Sequence, residues 1–95
     1  MKMKSYASVE EIDRKFTECE LEMIPVEESK TNDFFQKRTE IVDIPTEMIT
    51  DVIPDVGEGD IIVVVHTLGL VEGVCYKDDS EKKRRVELIR KLSGK

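Results

Sequence analysis

Apolar and polar positions alternate strictly along Cys19-Glu20-Leu21-Glu22-Met23, the period of a half-buried strand. Thr17, Cys19, Leu21 and Met23 share one side, and Glu18, Glu20 and Glu22 the other. The segment before it carries a mixed signal. Ser8-Val9-Glu10-Glu11 has the form of a helix capping box, and Val9, Ile12, Phe16 and Cys19 recur at helical spacing. The reading favoured is a strand near residues 6–14, a bend at Lys15 and a strand near residues 17–25. A helix over residues 8–16 is the alternative. Pro25 ends the second strand, and the polar run Glu27 to Asp33 with Phe34-Phe35 reads as a loop. Thr39 to Ile44 is a third strand closed by Pro45, and Thr46 to Ile49 a single helical turn. Residues 51–60, rich in Pro, Gly and Asp, form a connection.

Ile61 to His66 is a continuous apolar strand, a pattern typical of strands covered on both faces. Thr67-Leu68-Gly69 is short enough for a hairpin turn, with Gly69 free to take positive φ. Leu70 to Lys77 returns as the fifth strand, with Gly73 marking a bulge or sharp bend. Asp78 or Asp79 then caps a helix whose apolar stripe is Val86, Leu88, Ile89 and Leu92, and Gly94 stops it. Arg85 falls inside that stripe and is expected to lay its stem on the sheet and pair with an acidic strand residue. The order predicts an α+β fold: a small antiparallel β-sheet or partial barrel of about five strands closed by one C-terminal α-helix. A chain of 95 residues makes one domain. The sheet occupies residues 6–77 with an inserted loop at 26–37, and the helix residues 78–93.

Two anchors carry a family resemblance. One is Ile12-Asp13-Arg14. The other runs through Val42-Asp43-Ile44-Pro45, Gly59-Asp60-Ile61-Ile62-Val63 and the basic helix from Glu81 to Leu92. Their order resembles a small bacterial family, domain of unknown function 3006, over residues 9–93. The resemblance implies an Ile-Asp-Arg strand, an Asp-Ile-Pro strand, a Gly-Asp turn and a Lys/Arg-rich closing helix. Some members accompany or are fused to metallo-β-lactamase-like competence proteins, and the domain itself has no assigned activity. This chain departs from the pattern at Lys15-Phe16-Thr17-Glu18, where a tight turn is usual, and in its extended connection at 26–37.

Charge divides the chain. Residues 81–95 carry seven Lys/Arg and two Glu, whereas residues 1–80 carry eight Lys/Arg and nineteen Asp/Glu. An acidic body argues against nucleic-acid binding on the sheet, which needs clustered cations. The longest apolar run, Ile61 to Val65, is far short of a membrane span, and Met1-Lys2-Met3-Lys4 is not followed by the apolar stretch of a signal peptide. Cys19 and Cys75 form no ligand or disulfide pattern and suit a reducing cytoplasm.

Candidate chemistry is sparse. His66 is the only histidine, and neither cysteine has the electropositive sequence context that activates a thiol. Gly57 and Gly59 lack the third Gly and the Lys of a phosphate loop, and Asp55, Gly57, Gly59 and Asp60 are too few and wrongly spaced for a calcium loop. No catalytic residue, cofactor or metal is expected. Three features point to partners. Phe34 and Phe35, two of five aromatics, sit in a polar loop and either anchor a protein partner or fold back on the core. Glu18, Glu20 and Glu22 form a carboxylate row, either a solvent face or a mimic of phosphate for a basic protein. Lys83 and Arg84 lie on the outer side of the last helix, as a solvated face or a contact for nucleic acid. The expectation is a small non-enzymatic interaction or accessory module. An acidic inhibitor of a nucleic-acid enzyme and a nucleic-acid-associated barrel are the alternatives. A second copy could also cover an unpaired sheet edge.

Overall fold

The computed structural model describes residues 1–31 and 37–94. Phe34 and Phe35 lie outside the described residues. Five strands form one antiparallel sheet in the order β3-β2-β1-β4-β5: β1 (Met3–Ile12), β2 (Phe16–Glu22), β3 (Thr39–Pro45), β4 (Ile61–Thr67) and β5 (Leu70–Lys77). Among the described residues three helices accompany it: α1 (Val26–Ser29), α2 (Thr46–Thr50) and α3 (Asp79–Leu92). The five-strand sheet with a C-terminal helix expected from the pattern is present, open rather than closed into a barrel. Within the segment expected as loop, Val26–Ser29 makes one helical turn after Pro25.

The ambiguous first segment is strand, and its helix-like spacing has a physical cause. In the β1–β2 register Val9 faces Cys19 and Glu11 faces Glu18, so Glu10 is an extra, bulged residue. The bulge brings Val9 and Ile12, three apart, onto the same core-facing side. The β4–β5 ladder repeats the device twice. Val63 pairs with Tyr76 but Val64 with Val74, and Val65 pairs with Gly73 but His66 with Val71. Bulges at Cys75 and Glu72 therefore flank Gly73 and place Val71 and Val74 on one face despite their odd spacing. The β4–β5 hairpin turns in two residues, Leu68 at φ 51° and Gly69 at φ 90°, the paired positive-φ geometry that suits the strand twist.

Alternation sorts the sheet into two faces. One carries Ala7, Val9, Cys19, Leu21, Ile44, Ile62 and Val64, covered by Ile49 of α2 and by Ile53. This is the larger core. The other carries a smaller cluster of Tyr6, Ile61 and Val63, with Val26 of α1 and Cys75 packed against it. The helix α3 lies on this second face. Its start is fixed by Asp78, whose backbone N–H donates to Ile61 O at 2.8 Å and whose Oδ1 accepts from Glu81 N at 3.0 Å.

Candidate functional site

The α3 helix meets the sheet through a buried charge cluster centred on Arg85. Arg85 is buried over the Tyr6 ring, with Cζ 5.1 Å from the ring centroid. Its guanidinium lies 2.8 Å from Glu22 and donates to Glu81 Oε2 at 2.7 Å. Arg84 makes two further hydrogen bonds to Glu81, at 2.9 and 2.7 Å. Ser29 Oγ donates to Glu22 Oε1 at 2.5 Å and accepts from Lys37 Nζ at 2.8 Å. Tyr6 completes the group by donating its phenol to Asp78 Oδ2 at 2.9 Å. Among the described residues, no buried side-chain nitrogen or oxygen is left without a partner. That satisfaction is what makes so many buried charges tolerable.

The electrostatics follow from this packing. Burial alone would raise the Glu81 carboxyl, but hydrogen bonds and charge from Arg84 and Arg85 outweigh it and hold the group below its ordinary range. Burial lowers the Lys37 ammonium, against the opposing charge of Glu22. Burial and the bond to Asp78 raise the Tyr6 phenol. The cluster is an anchor, since its Ser29 and Lys37 are enclosed and Ser29 is already committed to Glu22.

Among the described residues, no ion pair joins the expected carboxylate row to Lys83 or Arg84. Glu22 is buried in the anchor, so it is removed from the expected carboxylate row. The reason is its position: it is the outer-face residue that α3 crosses. Glu18 and Glu20 stay on the outer face of β2 and gain new neighbours. Glu11, Glu18 and Asp43 stand side by side across β1, β2 and β3 in direct register. With Asp13 and Phe16 they line an open cup of about 260 Å³. Phe16 is 52% exposed there, and Ile41, opposite Glu20, is 60% exposed. Like charges directly opposite one another weaken a sheet, so this row is maintained at a local cost.

The basic helix also differs from expectation. Arg84 is tied to Glu81 and Lys82 to Asp60 at 2.9 Å, so neither is an unpaired cation. Lys83 and Arg90 are exposed, and no ion pair engages either among the described residues. Between them lie Val86 at 46% exposure and Ile89 at 49%, with Leu92 at 56%. The stripe expected to pack on the sheet is thus only partly covered: Arg85, which lies within it, is buried against Tyr6 and Glu22, while Val86, Ile89 and Leu92 are about half exposed. Sequence reading missed this exposure. The Glu81–Arg85 spacing of four residues, which pairs charges on one side of a helix, marked only the charged contact.

The remaining candidates are structural. Ser5 Oγ donates to Ile24 O at 2.7 Å, so the 2.9 Å contact between Ser5 Oγ and His66 Nε2 requires His66 to donate there. Gly69 N donates to His66 Nδ1 at 3.0 Å, and both ring nitrogens are committed. His66 lines a hollow of about 330 Å³ with Met3 and Met23, yet offers no base to it. The Cys19 thiol is pushed up to about 12 by burial and by nearby carboxylates led by Glu10, which makes it a poor nucleophile. Asp60 is a turn residue: its Oδ2 accepts from Gly57 N at 2.8 Å and its Oδ1 from Lys82. Among the described residues, no helix is long and apolar enough to cross a membrane. Comparison with known protein families, curated proteins and solved structures finds no match.

Proposed function

We propose that this chain is a small non-enzymatic protein-interaction module whose docking surface is the exposed apolar part of α3. The observation that carries the reading is the exposure of Val86, Ile89 and Leu92 on a helix already anchored by Arg85. A helix held by a buried charge cluster does not need its apolar stripe for folding, which leaves that stripe for a partner. Lys83 and Arg90 flank Val86 together with Asp79 and Glu87, which fits a partner surface of mixed charge. The internal pairing of Lys82 and Arg84 disfavours the nucleic-acid reading by reducing the number of cations open to phosphate. The resemblance to the domain of unknown function 3006 family fits an accessory role, and two free cysteines fit a reducing cytoplasm. Phe34 and Phe35 are proposed as a second contact.

One observation favours a second reading, in which the acidic face engages a basic protein. It is the in-register row of Glu11, Glu18 and Asp43. A cationic partner would relieve its internal repulsion.

Site-specific photocrosslinking in cells tests the first reading. A photoreactive residue at Val86 is expected to give discrete adducts, and one at the exposed Asp51 is expected to give none. Absence of any adduct from Val86 overturns the docking role of α3.

A further inference from the structure

We infer that the outer edge of β3 takes an added strand, an extended segment of a partner protein that carries Lys or Arg toward the acidic row. The inference rests on the reading in which the acidic face engages a basic protein, and it names the form of that partner. β3 ends the sheet, and the ladder to β2 fixes which of its backbone groups are used. Met23 N donates to Arg38 O at 2.9 Å and Thr46 N to Lys15 O at 3.0 Å, which continues the β2–β3 register by one bonded pair at either end. Bonded and non-bonded pairs alternate in an antiparallel ladder, so Glu40, Val42 and Ile44 turn their N–H and C=O groups to β2. Thr39, Ile41 and Asp43 turn theirs away from the sheet. Among the described residues no backbone hydrogen bond or strand pairing engages them on that side. The opposite edge is less suited to pairing, because β5 carries bulges at Cys75 and Glu72. β3 pairs with β2 without a register shift and meets a proline only at its end, Pro45.

The side chains along this edge specify the segment that fits. Asp43 and Ile41 project from the outer face, opposite Glu18 and Glu20. In a strand laid along β3, the residue opposite Asp43 extends the Glu11–Glu18–Asp43 row, where Lys or Arg is favoured and a carboxylate opposed. Among the described residues no ion pair engages any member of that row, and Arg38, just before β3, is paired with Glu40 instead. The residue opposite Ile41 meets an exposed apolar side chain. The residue between them points to the other face, beside Val42, which is half-buried and packs on the larger core, so an apolar residue there extends that core. Main-chain hydrogen bonds to Thr39, Ile41 and Asp43 supply affinity, and the charge opposite Asp43 supplies the choice of partner.

Selection of random phage-displayed peptides on the full chain, followed by NMR of the recovered peptides in complex with it, tests this. The peptides are expected to place Lys or Arg among alternating apolar residues, and to bind more weakly as salt rises from ~0.05 to ~0.5 M. On binding, the amides of Thr39, Ile41 and Asp43 are expected to gain protection from hydrogen exchange, whereas those of Glu40 and Val42, already turned to β2, change little. Ile41→Pro removes an N–H that points away from β2, so circular dichroism is expected to show a folded protein whose affinity for the peptide falls about tenfold or more. N-methylation of the peptide at the amides that face β3 is expected to give the same loss with the protein unaltered. Glu18→Gln with Asp43→Asn is expected to weaken binding and flatten its salt dependence. A basic peptide that needs Glu18 and Asp43 but leaves the Thr39, Ile41 and Asp43 amides unprotected, or whose affinity survives N-methylation, overturns the added strand and leaves the acidic-face reading intact. Recovery of no basic peptide, or binding unchanged by Glu18→Gln with Asp43→Asn, overturns that reading and the inference with it.

Discussion

Arg85 of α3 lies 2.8 Å from Glu22 of β2, with both side chains less than a tenth exposed. This contact joins the last element of the chain to the second strand, and Ser29 and Lys37 bring the two ends of the intervening insertion to the same carboxylate. Removing one partner leaves a buried charge uncompensated. Arg85→Ala is therefore expected to destabilise the fold by about 3–5 kcal/mol in urea denaturation. A cycle of Glu22→Gln and Arg85→Met should show a coupling of about 1–3 kcal/mol. A loss below ~1 kcal/mol for Arg85→Ala would mean that packing, not the ion cluster, seats the helix.

Stability should depend on pH in two stages. Burial, opposed only by Glu40, lowers the His66 imidazole below its ordinary 6.5. The unfolded chain then takes up a proton that the folded chain refuses, so stability falls as pH drops below 6.5 and levels off below the folded value. Asp60 and Glu81 act at lower pH. Burial opposes their ionisation, but their Lys and Arg partners outweigh it and hold both below their ordinary values of 3.8 and 4.5. Their stabilisation is present above those values and is lost as pH falls through the folded ones. Thermal melts from pH 8 to pH 3 should show both declines, and His66→Gln should flatten the first.

Apolar side chains should differ sharply by location. Leu21 is fully buried in the larger core, and Leu21→Ala is expected to cost about 2–5 kcal/mol. Val86→Asp with Ile89→Asp should change stability by only about 1 kcal/mol, because both side chains already face solvent. Paired denaturation curves decide this. A large loss in the double variant would show that the stripe packs on the sheet after all.

Gly69 is a second local test. It holds φ 90°, and an added Cβ would lie 3.2 Å from Glu40 Oε1 and 3.8 Å from Met23 Cε. Gly69→Ala is expected to cost about 1–3 kcal/mol through backbone strain and crowding between the β4–β5 turn and the start of β3. Gly59 shares the positive φ but has open space around it, so Gly59→Ala should cost less.

Local pattern alone determined most of the architecture. Strict alternation at Cys19 to Met23, the apolar run at Ile61, the turn signal at Thr67-Leu68-Gly69 and the Asp78-Asp79 cap signal each leave a short-range mark, and the elements form where those marks stand. The bulges were visible only as disorder in the pattern. Val9 with Ile12, and Val71 with Val74, look helical or irregular until the partner strand shows which residue is extra. The candidate surfaces needed the tertiary structure altogether. Glu18 and Glu22 are equivalent in an alternating strand, but α3 crosses only one of them and buries it. Arg85 lies within the apolar stripe on a helical wheel, and it is Arg85 that finds Glu22 and the Tyr6 ring inside while Val86, Ile89 and Leu92 stay about half exposed. Periodicity records how often a side chain faces one direction. Which direction is inward depends on partners distant in sequence, and for α3 those partners are charged.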